Sequence, residues 1–223
     1  MRARLALRAA DQQVELREIV LRDKPQAMVT ASPKATVPVL VLDNGQVIDE
    51  SLDIARWALS QNDPNGWLRP QNGDGDTMFA LIEAMDGPFK HHLDRYKYST
   101  RHVGVDGDAE AFAQQHRAAA VQELEKLEAR LAEHAAQTDQ GDGNGTPYLF
   151  GSAPCLADIA IAPFVRQFAN TERAWFDTLP LPHLHRWLNA FLESDDFAAI
   201  MKKYPVWVDG AAGIGFPETQ LNQ

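Results

Sequence analysis

The strand-like sequence of this 223-residue chain is confined to residues 14–48, and this confinement restricts the fold more than any other feature. Val14–Val20 and Val37–Leu42 carry the β-branched and aliphatic side chains that are typical of strands. From about residue 76 onward the pattern is helical instead. The sequence therefore predicts a small α/β domain that is followed by an all-helical (all-α) domain.

The α/β part contains a hairpin and then a helix. Asp43-Asn44-Gly45 is a strong tight-turn signal, and Gln46-Val47-Ile48 is predicted to return as the partner strand. Ser51 is predicted to cap a helix that runs to about Leu59. A β-α-β unit also needs a strand ahead of its first helix, and the first predicted helix, Met1–Ala10, begins with the chain. We therefore expect the first strand of this domain to be missing from the sequence.

Two polar segments that contain glycine divide the remainder of the chain. The first, residues 62–75, is a predicted linker, which gives domains at residues 1–61 and 76–223. The second, Gln137–Thr146, is predicted to be a loop. The predicted helices of the second domain are, in order, Asp76–Lys90, Asp108–Ala135, Leu156–Ala169, Pro182–Glu193 and Asp195–Met201.

Composition argues against several classes of partner. A net charge of -10 argues against nucleic acid or an anionic membrane as the main partner. The single cysteine, Cys155, excludes an intramolecular disulfide and a multi-cysteine metal site, and it fits a reducing, cytoplasmic compartment. No apolar run approaches the roughly 20 residues that are needed to span a bilayer.

The histidines do not indicate a metal site at the level of sequence. His91 and His92 are adjacent, so on a helix their side chains point roughly 100 degrees apart, a poor arrangement for two ligands of one ion. His183 and His185 have no better geometry. We therefore predict that the protein holds no metal.

Val37-Pro38 opens the second predicted strand and has two interpretations. Proline donates no backbone hydrogen bond, so the first interpretation is an ordinary position at a sheet edge or strand start. The second is a cis peptide bond that turns the amide and carbonyl groups of Val37 toward a ligand.

Asp49-Glu50-Ser51, at the start of the predicted helix, also has two interpretations. The first is helix capping, in which Ser51 satisfies a free amide and the acidic residues favour the positive helix end. The second is a ligand site, in which exposed amides and the Ser51 hydroxyl bind a carboxylate while Glu50 pairs with an ammonium group. Lys24 is either a solvated surface lysine or, if it lies across a cleft from Ser51, the partner of a second carboxylate.

Three segments, Lys24-Pro25, Ser32–Leu40 and Val47–Ile54, carry a resemblance to a known family. In order and spacing they resemble the N-terminal, thioredoxin-like domain of Omega-class glutathione S-transferases, for which glutathione is the co-substrate. The resemblance implies that Lys24 binds the glycyl carboxylate of glutathione and that Val37 pairs with its cysteinyl backbone. It also implies that Glu50 and Ser51 hold the γ-glutamyl end, and that Pro38 is the family's cis-proline.

The C-terminal half is similar to the helical domain of the same family. Leu156-Ala157-Asp158-Ile159-Ala160 resembles its capping motif, in which Asp158 closes a capping box onto the residue three positions earlier. The family usually has Ser or Thr at that position, and Cys155 is a poor cap. Another departure is Ala35, where the family commonly has Gly, and we expect it to stiffen the loop.

The resemblance also implies a catalytic cysteine that this chain does not contain. In Omega-like members a strand and a Cys-Pro turn precede the helix that opens here with Met1, so a nucleophile activated at that helix end would lie about four residues upstream. A late start-codon assignment or a truncation would account for this. Cys155 is expected to be buried or capping, so we expect no catalytic residue in the chain as written.

For the intact protein, the resemblance implies a glutathione-dependent transferase or thiol–disulfide reductase that acts on a small-molecule or mixed-disulfide substrate. One alternative is a non-catalytic module of transferase fold that binds partners. Another is a transferase that conjugates electrophiles through an upstream Ser or Tyr. The resemblance further implies a homodimer, formed between the first domain of one subunit and the helices of the other.

Four large side chains, Phe89, His92, Tyr96 and Trp207, have two interpretations. The first is packing in the core of the protein. The second is the wall of a second-substrate pocket, since transferases of this type bind that substrate against the helix that follows the linker. Trp207, near the C terminus, would close the same pocket.

Overall fold

The computed structural model of the chain describes residues 1–104, 107–138 and 146–218. Most of the predicted loop Gln137–Thr146 therefore lies outside the described residues. The described helices are α1 (Arg2–Ala9), α2 (Gln26–Ala31), α3 (Ser51–Gln61), α4 (Gly75–Ala84), α5 (Lys90–Lys97), α6 (Ala109–Thr138), α7 (Leu156–Ala169), α8 (Arg173–Phe176), α9 (Pro182–Glu193) and α10 (Asp195–Ile200). The described strands are β1 (Val14–Leu16), β2 (Leu40–Val41), β3 (Val47–Ile48) and β4 (Ile214–Phe216).

Contacts between these elements divide the chain into two compact units. The first comprises Met1–Asn65 and Asp195–Gln223, and the second comprises Gly66–Ser194. The sequence predicts one all-helical domain from residue 76 onward. In the structure the last segment belongs with the first unit, because α10 packs on α1 and β4 pairs with β1.

Among the described residues, the strands of the first unit form two antiparallel pairs. β2 pairs with β3 across the predicted turn, with Leu40 opposite Ile48. Gly45 closes this turn with a φ of +84°, a conformation that favours glycine. β1 pairs with β4, with Val14 opposite Phe216.

The strands are shorter than the sequence predicted. β1 covers three residues of the predicted strand Val14–Val20, and β2 covers two residues of Val37–Leu42. Beyond β1, pairing continues as an isolated bridge between Glu18 and Val206. Each described strand has one partner strand. Only one edge of each strand therefore forms interstrand hydrogen bonds, which limits how far the paired region extends.

Two helices form the apolar layer of the first unit, where α1 packs against α3. Small residues alternate with leucine and isoleucine on the buried faces, which lets the helices approach closely. The buried residues of the two helices are Ala3, Leu5, Ala6 and Leu7 of α1 and Ile54, Ala55, Ala58 and Leu59 of α3.

The second unit is a helical bundle with α7 at its centre. α7 packs against α4, α5 and α9, while α6 packs against α5 and α9. Eleven of the fourteen residues of α7 are buried, as expected for a helix that is surrounded by others. A π-helical turn, Met85–Phe89, joins α4 to α5. Within the described part of the chain, no helix is both long enough and apolar enough to span a membrane.

The start of α7 is organised by Asp158, a buried carboxylate. Asp158 accepts hydrogen bonds from the amides of Cys155 (2.8 Å) and Leu149 (2.9 Å) and from the indole N–H of Trp187 (2.8 Å). Cys155 is the N-cap residue, and its thiol and the Asp158 carboxylate form a reciprocal capping box. Burial raises the pKa of Asp158, and these hydrogen bonds act in the opposite direction. One side chain thus joins the preceding loop, α7 and α9.

Replacing Asp158 with alanine is expected to lower the free energy of unfolding by about 3–5 kcal/mol, since it leaves three buried N–H donors without an acceptor. Urea denaturation of the 223-residue protein measures this loss. Asp177→Ala is the control, because the Asp177 carboxylate pairs with Arg173 at the surface, and we expect a loss below about 1 kcal/mol. Equal losses in the two variants would contradict the role of Asp158.

Candidate functional site

Two of the predicted glutathione-binding residues lie at the N terminus of α3. Ser51 was predicted to cap this helix, but the structure makes Glu50 the N-cap residue and Ser51 the first helical residue. The amide of Ile54 donates to the Glu50 carbonyl at 2.9 Å, which fixes the helix start. The Glu50 side chain makes no capping hydrogen bond. The first amide groups of α3 are therefore not covered by the side chain of the N-cap residue.

The Glu50 side chain instead turns toward Lys34. Lys34 Nζ donates to Glu50 Oε1 and to Asp49 Oδ1, each at 3.1 Å, and Ser32 Oγ donates to Asp49 Oδ2 at 2.8 Å. The hydrogen bonds to Asp49 and Glu50 raise the pKa of Lys34, while those from Ser32 and Lys34 lower the pKa of Asp49. Because these ion pairs are exposed, their main effect is to orient Glu50.

The predicted cis-proline lies in the connection between α2 and β2. The peptide bond between Val37 and Pro38 is cis, and Val37 is 48% exposed. Lys24, predicted to bind a carboxylate, is exposed just ahead of α2. Contact of Lys24 or Val37 with a ligand stays a prediction.

The backbone conformation of Ala35, in the same connection, is one that favours glycine. The Ala35 amide donates to the Ser32 carbonyl at 2.9 Å, which closes a tight turn. Ala35 has a φ of +51°, in the left-handed region where a Cβ atom is unfavourable. A glycine at this position would adopt the same conformation without steric cost.

Two of the predicted second-substrate residues, Phe89 and Tyr96, lie in the interior of the second unit. Phe89 is fully buried, and its ring centroid lies 5.7 Å from that of Phe168. Tyr96 is 5% exposed, and its hydroxyl donates to Glu172 Oε1 at 2.7 Å. Burial, together with Glu172, raises the pKa of Tyr96. Both residues contribute to core packing, and their contact with a second substrate stays a prediction.

The other two residues of that predicted pocket, His92 and Trp207, each have partners within their own unit. His92 Nδ1 lies 2.7 Å from His116 Nδ1 in the second unit. In the first unit, the indole of Trp207 donates to the carbonyl of Ala211 at 2.7 Å, and the Arg17 guanidinium lies 4.7 Å from the Trp207 ring centroid. The role of His92 and Trp207 in a pocket also stays a prediction.

Cys155 has the environment of a structural thiol. It is 2% exposed, and burial, with a contribution from the Asp158 carboxylate, raises the pKa of the thiol well above its usual range. The thiolate is the nucleophilic form of cysteine. Cys155 therefore has neither the access nor the ionisation that nucleophilic catalysis requires.

The first unit also has a surface concavity that is lined by residues other than those predicted to bind glutathione. The residues that line it are Met1, Arg4, Glu18, Ile200, Met201, Lys202, Lys203 and Tyr204. None of the four residues predicted to bind glutathione is among them. We therefore do not include this concavity in the candidate site.

Sequence reasoning missed the contributions of Lys34 and His116. Lys34 lies within a segment that carries the family resemblance, but its two acidic partners follow 15 and 16 positions later. His116 lies 24 positions after His92 and on another helix. Only the tertiary fold brings Lys34 and His116 to their partners, so their roles are not visible in the sequence.

Comparison with known families and structures gives matches over most of the chain. The family model "Glutathione S-transferase, N-terminal domain" matches residues 1–66, and "Glutathione S-transferase, C-terminal domain" matches residues 110–190. A comparison with curated protein sequences found no match. The predicted fold class, a thioredoxin-like N-terminal domain followed by a helical transferase-type domain, is confirmed.

Solved structures share this fold at low sequence identity. A class Gtt2 glutathione S-transferase of Vibrio parahaemolyticus is 17% identical, with 88% of this chain and 89% of that chain covered and a TM-score of 0.68. A Tau-class enzyme of mango is 20% identical, with 91% and 87% covered and a TM-score of 0.68. A glutathione transferase homologue from Sulfitobacter, solved with bound glutathione, is 12% identical, with 89% and 90% covered and a TM-score of 0.64.

Ala35→Gly is expected to raise the free energy of unfolding by about 0.5–1 kcal/mol, because relief of the left-handed strain outweighs the added freedom of the unfolded chain. Ala27→Gly is the matched control. Ala27 lies within α2, where glycine should lower stability by a similar amount. Chemical denaturation of both variants tests the assignment, and a loss of stability in Ala35→Gly would refute the left-handed conformation.

Proposed function

The chain belongs to the glutathione S-transferase family, and we propose that it binds the γ-glutamyl end of glutathione at the N terminus of α3. One observation carries the proposal: the first amides of α3 are not capped by Glu50, and the Ser51 hydroxyl lies at the same helix start. The α-carboxylate of glutathione matches the amides and this hydroxyl. The α-ammonium group matches the adjacent Glu50 carboxylate.

Lys34 supports this binding mode by orienting Glu50. The Glu50 side chain remains 62% exposed while it pairs with Lys34, so its carboxylate has room for a second cation. In the proposed complex, the ligand's ammonium group joins or replaces Lys34 at Glu50. Lys34 thus keeps the carboxylate directed and charge-balanced until glutathione arrives.

The remainder of glutathione is proposed to contact Val37 and Lys24. The backbone groups of Val37, which precede the cis bond to Pro38, would pair with the cysteinyl residue of glutathione as one strand pairs with another. Lys24 would balance the glycyl carboxylate. Each end of the tripeptide then meets a group of opposite charge.

We propose that the finer class within the family is an Omega-like thiol transferase. The order of Lys24-Pro25, Ser32–Leu40 and Val47–Ile54 supports this class. The substrate would be a small molecule or a mixed disulfide, and glutathione would be the co-substrate. A reducing cytoplasm is the compartment that this chemistry and the single cysteine favour.

Ser51→Ala is expected to weaken glutathione binding to the 223-residue chain by about 1–3 kcal/mol, because a hydrogen bond to a charged carboxylate is lost. Isothermal titration calorimetry measures the change. Ser60→Ala is the matched control, since Ser60 lies near the other end of α3 and donates to the Trp57 carbonyl. Unchanged affinity in Ser51→Ala would remove Ser51 from the site.

The burial of Cys155 favours a second candidate function, a non-catalytic module that binds glutathione or a partner. General transfer chemistry requires a nucleophile within about 3–3.5 Å of the reacting atom. Cys155 is buried in the capping box of α7, and its raised pKa keeps the thiol protonated. Binding without turnover is the behaviour that follows.

The 223-residue chain is therefore expected to show almost no disulfide reduction with glutathione. A coupled reductase assay on the wild-type chain and on Cys155→Ser tests this expectation. The two proteins should give the same background rate, since Cys155 does not reach the substrate. Substantial turnover that disappears in Cys155→Ser would show that this thiol is the nucleophile.

We also propose that the protein is a homodimer. Val41 and Val47 lie opposite each other in the β2–β3 hairpin and are 54% and 37% exposed. Exposed apolar residues on a short sheet favour association. Multi-angle light scattering at micromolar concentration should give twice the chain mass, and Val41→Asp should lower the dimer fraction. A clean wild-type monomer would rule out the proposal.

A further inference from the structure

Three imidazole groups converge on the surface of the second unit, outside the proposed glutathione site. His91 and His92 lie in the first turn of α5, and His116 lies in α6. One ring nitrogen from each residue lies within 4.8 Å of the other two. The His92 and His116 Nδ1 atoms are 2.7 Å apart. Among the described residues, no other group of three or more histidine, cysteine or acidic side chains lies this close together.

The fold explains why the three rings meet. Phe89, Leu93 and Tyr96 are buried and recur with helical spacing, so they fix which face of α5 turns to the core. α5 packs against α6, and this packing places His92 next to His116. The rings of His91 and His92 are 5.1 Å apart, and those of His91 and His116 are 5.8 Å apart. The third ring thus comes from a second helix, and the adjacency of His91 and His92 in the sequence does not reveal it.

We propose that His91, His92 and His116 form a binding site for a divalent transition-metal ion such as Zn²⁺. Imidazole nitrogen suits Zn²⁺, Ni²⁺ and Cu²⁺, while Mg²⁺ and Ca²⁺ prefer oxygen ligands. Three histidines on Zn²⁺ leave a fourth position for water. The inferred site is therefore an open one, at which a water or a ligand atom completes the coordination.

The distances are close to those that an ion requires. With Zn–N bonds of about 2.0–2.1 Å, two nitrogens of a tetrahedral site lie about 3.3 Å apart. To bind one ion, the Nδ1 atoms of His92 and His116, now 2.7 Å apart, need to separate slightly. The two ligand nitrogens that are farthest apart, which lie within 4.8 Å of each other, need to move closer together. His91 is exposed, so rotation of its side chain meets little resistance.

The surroundings of the cluster contain both favourable and opposing groups. The Phe112 ring lies 4.4 Å from the His116 ring and shields it from water on one side. Arg95 opposes the ion, because its guanidinium lies 3.0 Å from His91 Nδ1. A bound ion therefore displaces Arg95 from this nitrogen or uses the other nitrogen of His91.

A simpler arrangement accounts for only part of the cluster. Two neutral imidazoles can share one hydrogen bond, which explains the contact of His92 with His116. It gives no role to His91 and predicts no selectivity for a metal ion. The experiment must therefore separate three ligands from two, and a built site from ordinary surface histidines.

The test is a titration of the tag-free 223-residue chain with Zn²⁺ in competition with a chromophoric chelator. We expect one ion per chain and no displacement by Mg²⁺. His91→Gln, His92→Gln and His116→Gln should each weaken binding at least about tenfold, because losing a ligand costs no less than losing one of its outer-shell partners, which costs about 10–100-fold. Arg95→Gln should tighten binding about threefold or more, because an opposing charge is removed. His102→Gln is the control: His102 is exposed and near the cluster, stacked on Phe112 but outside it.

Two readouts keep the test independent of how the variants fold. Co²⁺ bound to the wild-type chain should show the strong visible bands of a four-coordinate ion, and the weak spectrum of hydrated Co²⁺ would overturn the proposal. Zn²⁺ at 100-fold excess over its Kd should raise the wild-type Tm by roughly 5–10 °C. Equal Zn²⁺ affinity in His116→Gln and His102→Gln would also overturn it, and unchanged affinity in His91→Gln would refute a three-histidine site.

Discussion

The first amide groups of a helix have no partner within that helix, and the acidic side chains that satisfy them at several helix starts organise the second unit. In the second unit, an acidic side chain accepts a hydrogen bond from an amide near the start of three helices. These side chains are Asp74 at α4, Asp108 at α6, and Glu128 at α9, where Glu128 itself belongs to α6. α7 uses Asp158, which also binds the preceding loop and the indole of α9. Because that carboxylate is buried, capping and the packing of the core depend on the same atoms.

α3 in the first unit has no such cap from its N-cap residue, and function is proposed at this helix start. The Glu50 side chain does not cap α3 and is held by Lys34 instead. Amides at a helix start attract anions, and here an exposed carboxylate stands beside them. A ligand with adjacent carboxylate and ammonium groups satisfies both. The proposed site thus follows from the same constraint, because no side chain of the N-cap residue satisfies the first amides of α3.

The sequence predicted the elements whose signals are local. The turn around Gly45 and the long apolar periodicities of α6 and α7 were readable because turn chemistry and helical spacing act over a few residues. β4 was not readable, since Ile-Gly-Phe between Gly213 and Pro217 is short and rich in strand-weakening residues. Its partner β1 lies at the other end of the chain. A pairing between strands so far apart in the chain depends on the tertiary fold, and local residue spacing does not predict it.

The central claim is that glutathione binds at the start of α3. A titration of the ¹⁵N-labelled 223-residue chain with glutathione, followed by amide chemical shifts, tests it most directly. The account predicts that the largest shifts occur at Val37, Ser51 and Leu52, and that α7 residues around Asp158 remain unchanged. Saturable shifts that are largest in the second unit, or none at millimolar glutathione, would contradict the account.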